Sequence, residues 1–392
     1  METITLNNLV EQINDEILNW RRYLHQHPEL SFKEEKTSQF VYETLQSFGN
    51  LELSRPVGNS VVARLIGAKP GKVIAIRADM DALPVQEQNT FEFSSQNPGV
   101  MHACGHDAHT AMLLGTAKIL SGLKDEIQGE VRFLFQHAEE LFPGGGSEMV
   151  AAGVMKGVDQ VIGAHVWSQL EAGKIGIAYG PMMAAPDTFH ITIKGKGGHA
   201  GAPHTSVDSI VIGAQVVTNL QHIVARNIDP LDSAVISIGK FVAGTTDNVI
   251  PDSAEIVGTI RTLSLENRDL VPRLMEQVVK GVTEAHGAEY EFKLVKGYQP
   301  VINDVGLTRI MEETIREVLG DQVLETVRPT MIAEDFSAYQ HEVPGSFIFI
   351  GAGNAEKGIT YPHHHPRFTI DEDILVMGVK LFTNAAFKLL KV

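Results

Sequence analysis

Apolar residues recur along the chain in two rhythms, and each rhythm belongs to one kind of element. Through residues 6–24, Leu9, Val10, Ile13, Ile17, Trp20 and Leu24 fall at helical spacing, so a single buried helix face is predicted there. Ser31 and Glu34 have the Ser-x-x-Glu form of a capping box, which announces a second helix. Short apolar runs at 61–65 and 73–78 read as strands, followed by a helix over 109–120 and a strand over 131–136. The Gly-rich turn 143–146 leads into a short helix ending near Met155 and an apolar strand over 160–166. Mainly apolar strands alternating with helices predict a mixed α/β domain on a largely parallel sheet flanked by helices.

The middle of the chain has a different texture. Residues 188–194 alternate apolar and polar side chains, as a half-exposed strand does, and a long amphipathic helix follows over 209–224. Strands at 234–241 and 255–261, a helix at 267–286 and a strand at 290–295 complete a β-α-β-β-α-β order, the ferredoxin-like α+β pattern. After it the mixed pattern returns, with a helix near 307–319, an apolar strand at 347–350 and a closing helix over 373–390. If the His-rich motifs before residue 170 and after residue 360 serve one site, the ferredoxin-like block, 182–298, is an insertion. The outer domain is then discontinuous, 1–181 and 299–392.

Of 392 residues, 43% are hydrophobic and 20% charged, which sets aside disordered, collagen-like and coiled-coil classes. Against 32 Lys and Arg stand 48 Asp and Glu, a net charge of −16 with no basic run, so neither nucleic acid nor an anionic membrane is an expected partner. One Cys excludes an internal disulfide, and Met1 is followed by polar, acidic sequence. The longest apolar stretches, such as 210–217, fall short of the ~20 residues of a membrane span. A soluble, cytoplasmic protein is expected.

The chemistry lies in the placement of the 16 His. Cys104, His106 and His109 sit in Met101-His102-Ala103-Cys104-Gly105-His106-Asp107-Ala108-His109. A thiolate and an imidazole two positions apart on a loop can face one ion, and both suit zinc and related metals; the bland alternative is a buried Cys beside capping histidines. Gln136-His137-Ala138-Glu139-Glu140 follows an apolar strand, where open α/β sheets place their sites. Two adjacent carboxylates there can divide the work between metal and proton, or simply be solvated. His165 closes another apolar run, and His363-His364-His365-Pro366 lies well inside the chain, with spacing that leaves open which imidazole binds. Asp79 and Asp81, in Arg77-Ala78-Asp79-Met80-Asp81-Ala82-Leu83-Pro84, can orient a metal-bound His or cap a turn. Gly195-Lys196-Gly197-Gly198-His199-Ala200 formally fits a dinucleotide fingerprint, but Pro203 interrupts the required helix and no acid lies at 215–220.

Taken together and in order, these motifs resemble the dimetal amidohydrolases that include aminoacylases, hippurate hydrolases, auxin-conjugate hydrolases and N-acetyl-diaminopimelate deacetylases. Asn248-Val249-Ile250-Pro251 and the segment 258–262 extend the resemblance across essentially the whole chain. It implies hydrolysis of the amide bond of N-acyl-L-amino acids, with two divalent metal ions per subunit, zinc or manganese before cobalt or nickel. Position by position, it makes Cys104, His106, Glu140, His165 and His364 the metal ligands and Glu139 the catalytic acid/base, with Asp81 supporting a ligating His. Asp79 stands where more distant metallopeptidases have a metal-binding His. The resemblance further implies that the insertion mediates homodimerisation and lends His199 to the partner subunit's active site, while Asn248 and Arg261 receive the substrate carboxylate. An Arg fork suits that task because it binds a carboxylate through two hydrogen bonds. Alternatives within this chemistry are N-acetyl-diaminopimelate deacetylation and a dipeptidase or carboxypeptidase activity. A non-catalytic metal-binding protein is more distant, since storage has no use for Glu139 beside Glu140.

Overall fold

The computed structural model describes residues 3–391. Contacts divide the chain into two compact units, one of Met1–Gly180, Ile302–Arg328 and Asp335–Val392, the other of Pro181–Val301 and Pro329–Glu334.

The first unit is built on eight strands: β1 (Glu52–Ser54), β2 (Val61–Ile66), β3 (Lys69–Asp79), β4 (Gln128–Gln136), β5 (Gln160–Glu171), β6 (Ile175–Ile177) and, late in the chain, β11 (Leu324–Thr326) and β12 (Gly345–Gly353). Their order is β1-β2-β4-β3-β5-β12-β6-β11. The central pairings β4–β3, β3–β5 and β5–β12 are parallel, whereas β1–β2, β2–β4 and β12–β6 are antiparallel. Val131, Phe133 and Phe135 of β4 are fully buried with Val161 and Ile162 of β5 and Phe347 to Ile350 of β12. Such runs carry no solvent face, and each large apolar side chain removed from water contributes about 1.5–3 kcal/mol.

Helices α1 (Thr3–Gln12), α2 (Asn14–Gln26), α3 (Glu35–Phe48), α4 (His106–Ser121), α5 (Gly145–Ala151), α8 (Val305–Leu319) and α9 (Ile374–Leu389) complete this unit. The predicted helix over 6–24 is two, α1 and α2, parted at Ile13. The apolar period survives because Ile13 still accepts the amide of Ile17, at 3.1 Å, and the chain keeps its course. The capping box is not formed. Helix α3 has Glu34 at its N-cap with no side-chain cap bond; Ser31 Oγ donates to Asp81 Oδ2 at 2.7 Å instead. Helix α4 begins at His106, three residues before the predicted start, and β5 runs on to Glu171, so His165 lies within a strand rather than at its end.

The second unit contains β7 (Ala185–Lys194), α6 (Ser209–Arg226), β8 (Ala234–Ala243), β9 (Ser253–Thr262), α7 (Leu265–Ala285) and β10 (Glu289–Val295). The strands form an antiparallel sheet of order β8-β9-β7-β10, the ferredoxin-like arrangement. Phe189, Ile191 and Ile193 of β7 point into a core with Ile212, Val216 and Leu220 of α6 and Val271, Met275 and Val279 of α7. The Asp208 carboxylate caps α6 by accepting the amides of Ile210 and Val211 at 2.9 and 3.2 Å. Among the described residues no helix is long and apolar enough to cross a membrane.

Candidate metal and active site

The loop between β3 and α4 carries Cys104, and Gly105 turns it into the helix. Gly105 has φ +93°, and a Cβ there would lie 2.3 Å from Val166 Cγ2, so only glycine lets the loop approach β5 this closely. Cys104 Sγ then lies 3.4 Å from His165 Nε2. His165 Nδ1 donates to the Val166 carbonyl at 2.6 Å, which in the neutral ring leaves the Nε2 lone pair facing the thiol. His106 is fixed in the same sense: Nδ1 lies 2.9 Å from the Asp81 carbonyl and 3.2 Å from Asp81 Oδ1. Its Nε2 is buried without a hydrogen-bond partner.

The adjacent carboxylates Glu139 and Glu140 follow β4 on a tight turn. Ala138 has φ +47°, held by its amide donating to Glu34 Oε1 and its carbonyl accepting from the Gly145 amide, both at 2.8 Å. Such a conformation persists only where surrounding bonds over-determine it. The Glu140 amide donates to Asp81 Oδ2 at 3.0 Å, so one Asp carboxylate braces both His106 and Glu140. Glu140 Oε1, buried and without a hydrogen-bond partner of sound geometry, lies 3.2 Å from His364 Nε2 and 3.9 Å from His106 Nε2. Glu139 is only 7% exposed, and its Oε1 accepts the Asp335 amide at 3.3 Å.

His364 adopts φ +65° and donates its amide to the Ala103 carbonyl at 2.8 Å, which ties it to the Cys104 loop. Its neighbours are used differently. His363 Nε2 bonds the Val166 carbonyl at 2.8 Å and Nδ1 lies 3.2 Å from Ser168 Oγ, while His365 stacks on Tyr361 at 4.4 Å. Donor atoms of Cys104, His106 and His165 lie within 4.8 Å of one another, as do those of Cys104, Glu140 and His364, and those of His106, Glu139 and Glu140.

The electrostatics of this cluster call for a cation. Burial alone would lower the His106 imidazolium, yet Asp79, Asp81 and Glu140 overcome it and raise its pKa to about 10. Burial, then Glu140, Glu139 and Asp79, push the Cys104 thiol well up. Burial, with His109 and His363 beside it, keeps His165 neutral, well below the ordinary imidazole value. A surplus of buried negative charge, a raised thiol and a His106 Nε2 with no hydrogen-bond partner fit one or more divalent cations.

Asp79 stands beside this cluster with its own partners: Oδ1 to His109 Nδ1 at 2.6 Å and Oδ2 to Arg77 at 2.7 Å. His109 Nε2 in turn accepts the Val166 amide at 2.8 Å. His199, Asn248 and Arg261 belong to the second unit. There Gly198–His199 pairs with Val249–Ile250 and the Ala200 amide donates to the Asn248 carbonyl at 3.1 Å, which brings the exposed His199 and Asn248 side by side. Arg261 is half-buried in β9, its guanidinium bonding Thr259 and the Ile260 carbonyl. Sequence reasoning missed Arg77 and Asp335, both fully buried and ion-paired at 2.7 Å. For Arg77 the signal is a charged residue inside an otherwise apolar strand; Asp335, on a turn, carries none.

The chain matches Peptidase family M20/M25/M40 over residues 75–388. It is 68% identical to an N-acyl-L-amino acid amidohydrolase of Geobacillus stearothermophilus over 324 residues, 82% of this chain and 88% of that one. A solved structure from methicillin-resistant Staphylococcus aureus superposes with a TM-score of 0.95 at 37% identity, covering 99% of this chain and 100% of that one. A Bacillus subtilis dinuclear metal-binding peptidase from the M20 family superposes with a TM-score of 0.86 at 37% identity, covering 97% and 99%. The chain belongs to the M20/M25/M40 peptidase family and is a hydrolase of that family.

Proposed function

We propose that the protein cleaves the amide bond of N-acyl-L-amino acids, releasing a carboxylic acid and a free amino acid. The observation that carries this reading is the buried Glu139 carboxylate beside His106 and Glu140, a proton-handling group adjoining a cation cradle rather than a further ligand in a store. Cys104, His106, Glu140, His165 and His364 would hold two divalent ions, zinc or manganese before cobalt or nickel given the thiolate and imidazoles. Bound there, such ions supply Lewis acidity and lower the pKa of water from about 15.7 to about 7.

Glu139 takes the proton of the attacking water and delivers it to the leaving nitrogen, a role worth roughly 10²–10⁴ in rate. Asp81 holds His106 and the Glu140 main chain in place. His199 donates to the developing oxyanion, and Asn248 with Arg261 receives the substrate carboxylate. In the homodimer we propose, His199 serves the partner subunit's site. Ile210 and Val211 of α6 and Phe241 and Val242 of edge strand β8, 41–53% exposed, supply the apolar surface such an interface needs. The enzyme is further proposed to act in the cytoplasm, which cell fractionation tests.

The decisive experiment is a hydrolysis screen after reconstitution with zinc or manganese, comparing N-acetyl, N-benzoyl and indole-acetyl amino acids with dipeptides. Release of free amino acid from the N-acyl compounds is expected; cleavage of dipeptides alone would overturn the substrate assignment. Light scattering of the same preparation checks the dimer, and undiminished activity in a proven monomer rejects the shared site.

A further inference from the structure

Beneath Glu139 lies a buried network that includes none of the five proposed metal ligands, although Asp79 groups with His106 and His109, and Asp335 with Glu139 and Glu334, closely enough to face an ion. The Arg77 guanidinium is a three-way fork: Nε donates to Gln136 Oε1 at 2.9 Å, one terminal nitrogen to Asp79 Oδ2 at 2.7 Å and the other to Asp335 Oδ1 at 2.7 Å. Gln136 Nε2 reaches both Asp335 oxygens at 2.8 and 2.7 Å, and the Gly146 amide donates to Asp335 Oδ2 at 2.9 Å. Tyr339 Oη donates to Gln136 Oε1 at 2.9 Å. Arg77, Gln136 and Asp335 are each 2% exposed or less.

The Asp335 carboxylate is thereby clamped from the ends of β3 and β4 and from the start of α5. Its own main-chain N–H is the group that meets Glu139 Oε1 at 3.3 Å. We propose that Asp335, clamped by Arg77 and Gln136, is a positioning residue that holds the Glu139 carboxylate in one orientation through the Asp335 main-chain amide.

Two physical arguments support this. A buried ion pair gains little net stability over apolar residues of the same size, so fold stability alone is a weak account of a fork that binds two carboxylates and an amide. The network also starts at Gln136, three residues before Glu139 on the same strand end, so the clamp sets the acceptor's backbone and the donor's backbone from one set of bonds. The inference rests on the reading of Glu139 as the acid/base.

The test measures steady-state hydrolysis of an N-acetyl-L-amino acid by the metal-reconstituted full chain, with metal content per subunit and melting temperature recorded alongside. Asp335→Asn replaces one acceptor oxygen by an amino group facing donors. It is expected to lower kcat about 10–100-fold, the scale of an ångström misplacement, with KM within about threefold and metal content unchanged. In a Glu139→Asp background the shortened carboxylate loses the Asp335 amide, and Asp335→Asn should then cost less than about threefold more. Arg77→Lys, which keeps the charge but not the fork, should show the same pattern and replaces Asp335→Asn if that variant does not fold. Equal losses in both backgrounds, a kcat loss that tracks loss of metal, or a kcat within about twofold of wild type would overturn the proposal. Wild-type turnover in Glu139→Gln would overturn the acid/base reading and the proposal with it, whereas additive losses overturn the proposal alone.

Discussion

Asp81 Oδ1 stands 3.2 Å from His106 Nδ1, and the other oxygen of the same carboxylate accepts the Glu140 amide. One buried side chain thus sets the ring of one proposed ligand and the backbone of another. Outer partners of this kind are worth 10–100-fold in metal affinity. Asp81→Ala should lose metal affinity on that scale in a competitive chelator titration while the circular dichroism spectrum stays native. Unchanged affinity would free Asp81 from this role.

Glu139→Gln should retain metal and melting temperature and lose roughly 10²–10⁴ in kcat, since it removes the proton carrier and little volume. Turnover within tenfold of wild type in the metal-loaded variant would refute the assignment.

Cys104→Ser should bind metal more weakly, because a hydroxyl is not deprotonated at a cation as a thiol is. Elemental analysis after dialysis reads this directly, and full metal content would remove Cys104 from the ligand set.

His25 makes stability depend on pH. Its Nδ1 lies 2.8 Å from Asp107 Oδ2 and its Nε2 3.1 Å from Glu87 Oε1. Burial and neighbouring Arg21 oppose the imidazolium, but Asp107 and Glu87 prevail and the pKa is raised. A raised folded-state pKa means that the stabilisation is complete below about pH 6.5, the ordinary imidazole value, and is lost as pH rises through the folded value. The melting-temperature gap between wild type and His25→Gln should therefore narrow from pH 6 to pH 9. A gap that stays constant would show that the ring acts by packing alone.

Gly105→Ala should destabilise the protein by about 1–3 kcal/mol and weaken metal retention, because the added methyl meets Val166 Cγ2. Native stability in chemical denaturation together with native metal content would show that the loop can give way.

Much of the fold could be read from residue patterns because its central strands are buried on both faces. Val131 to Phe135 and Val161 to Val166 are mainly apolar, interrupted only by Arg132 and by Gly163 and His165, and the alternation in β7 is visible residue by residue. What escaped is what patterns do not encode. Arg21 and His25 occupy the buried face of α2 although both are polar, since their partners Asp107 and Glu87 come from distant segments. Ser31 looked like a helix cap and serves Asp81 instead. Among three consecutive imidazoles, spacing offers no choice; the left-handed backbone at His364 and its bond to Ala103 turn that ring toward Glu140. Asp335 lay outside every motif considered because its significance comes from bonds to residues 77, 136 and 146.

The position of β12 has a consequence for how the molecule comes into being. This strand arrives among the last of the chain yet lies between β5 and β6 in the finished sheet, so a nascent polypeptide cannot complete the sheet until residue 353 has left the ribosome. His364 follows only after that, and contacts between segments so far apart are slow to form. A translation product that stops before residue 364 therefore lacks one of the proposed ligands and has no complete cradle to offer.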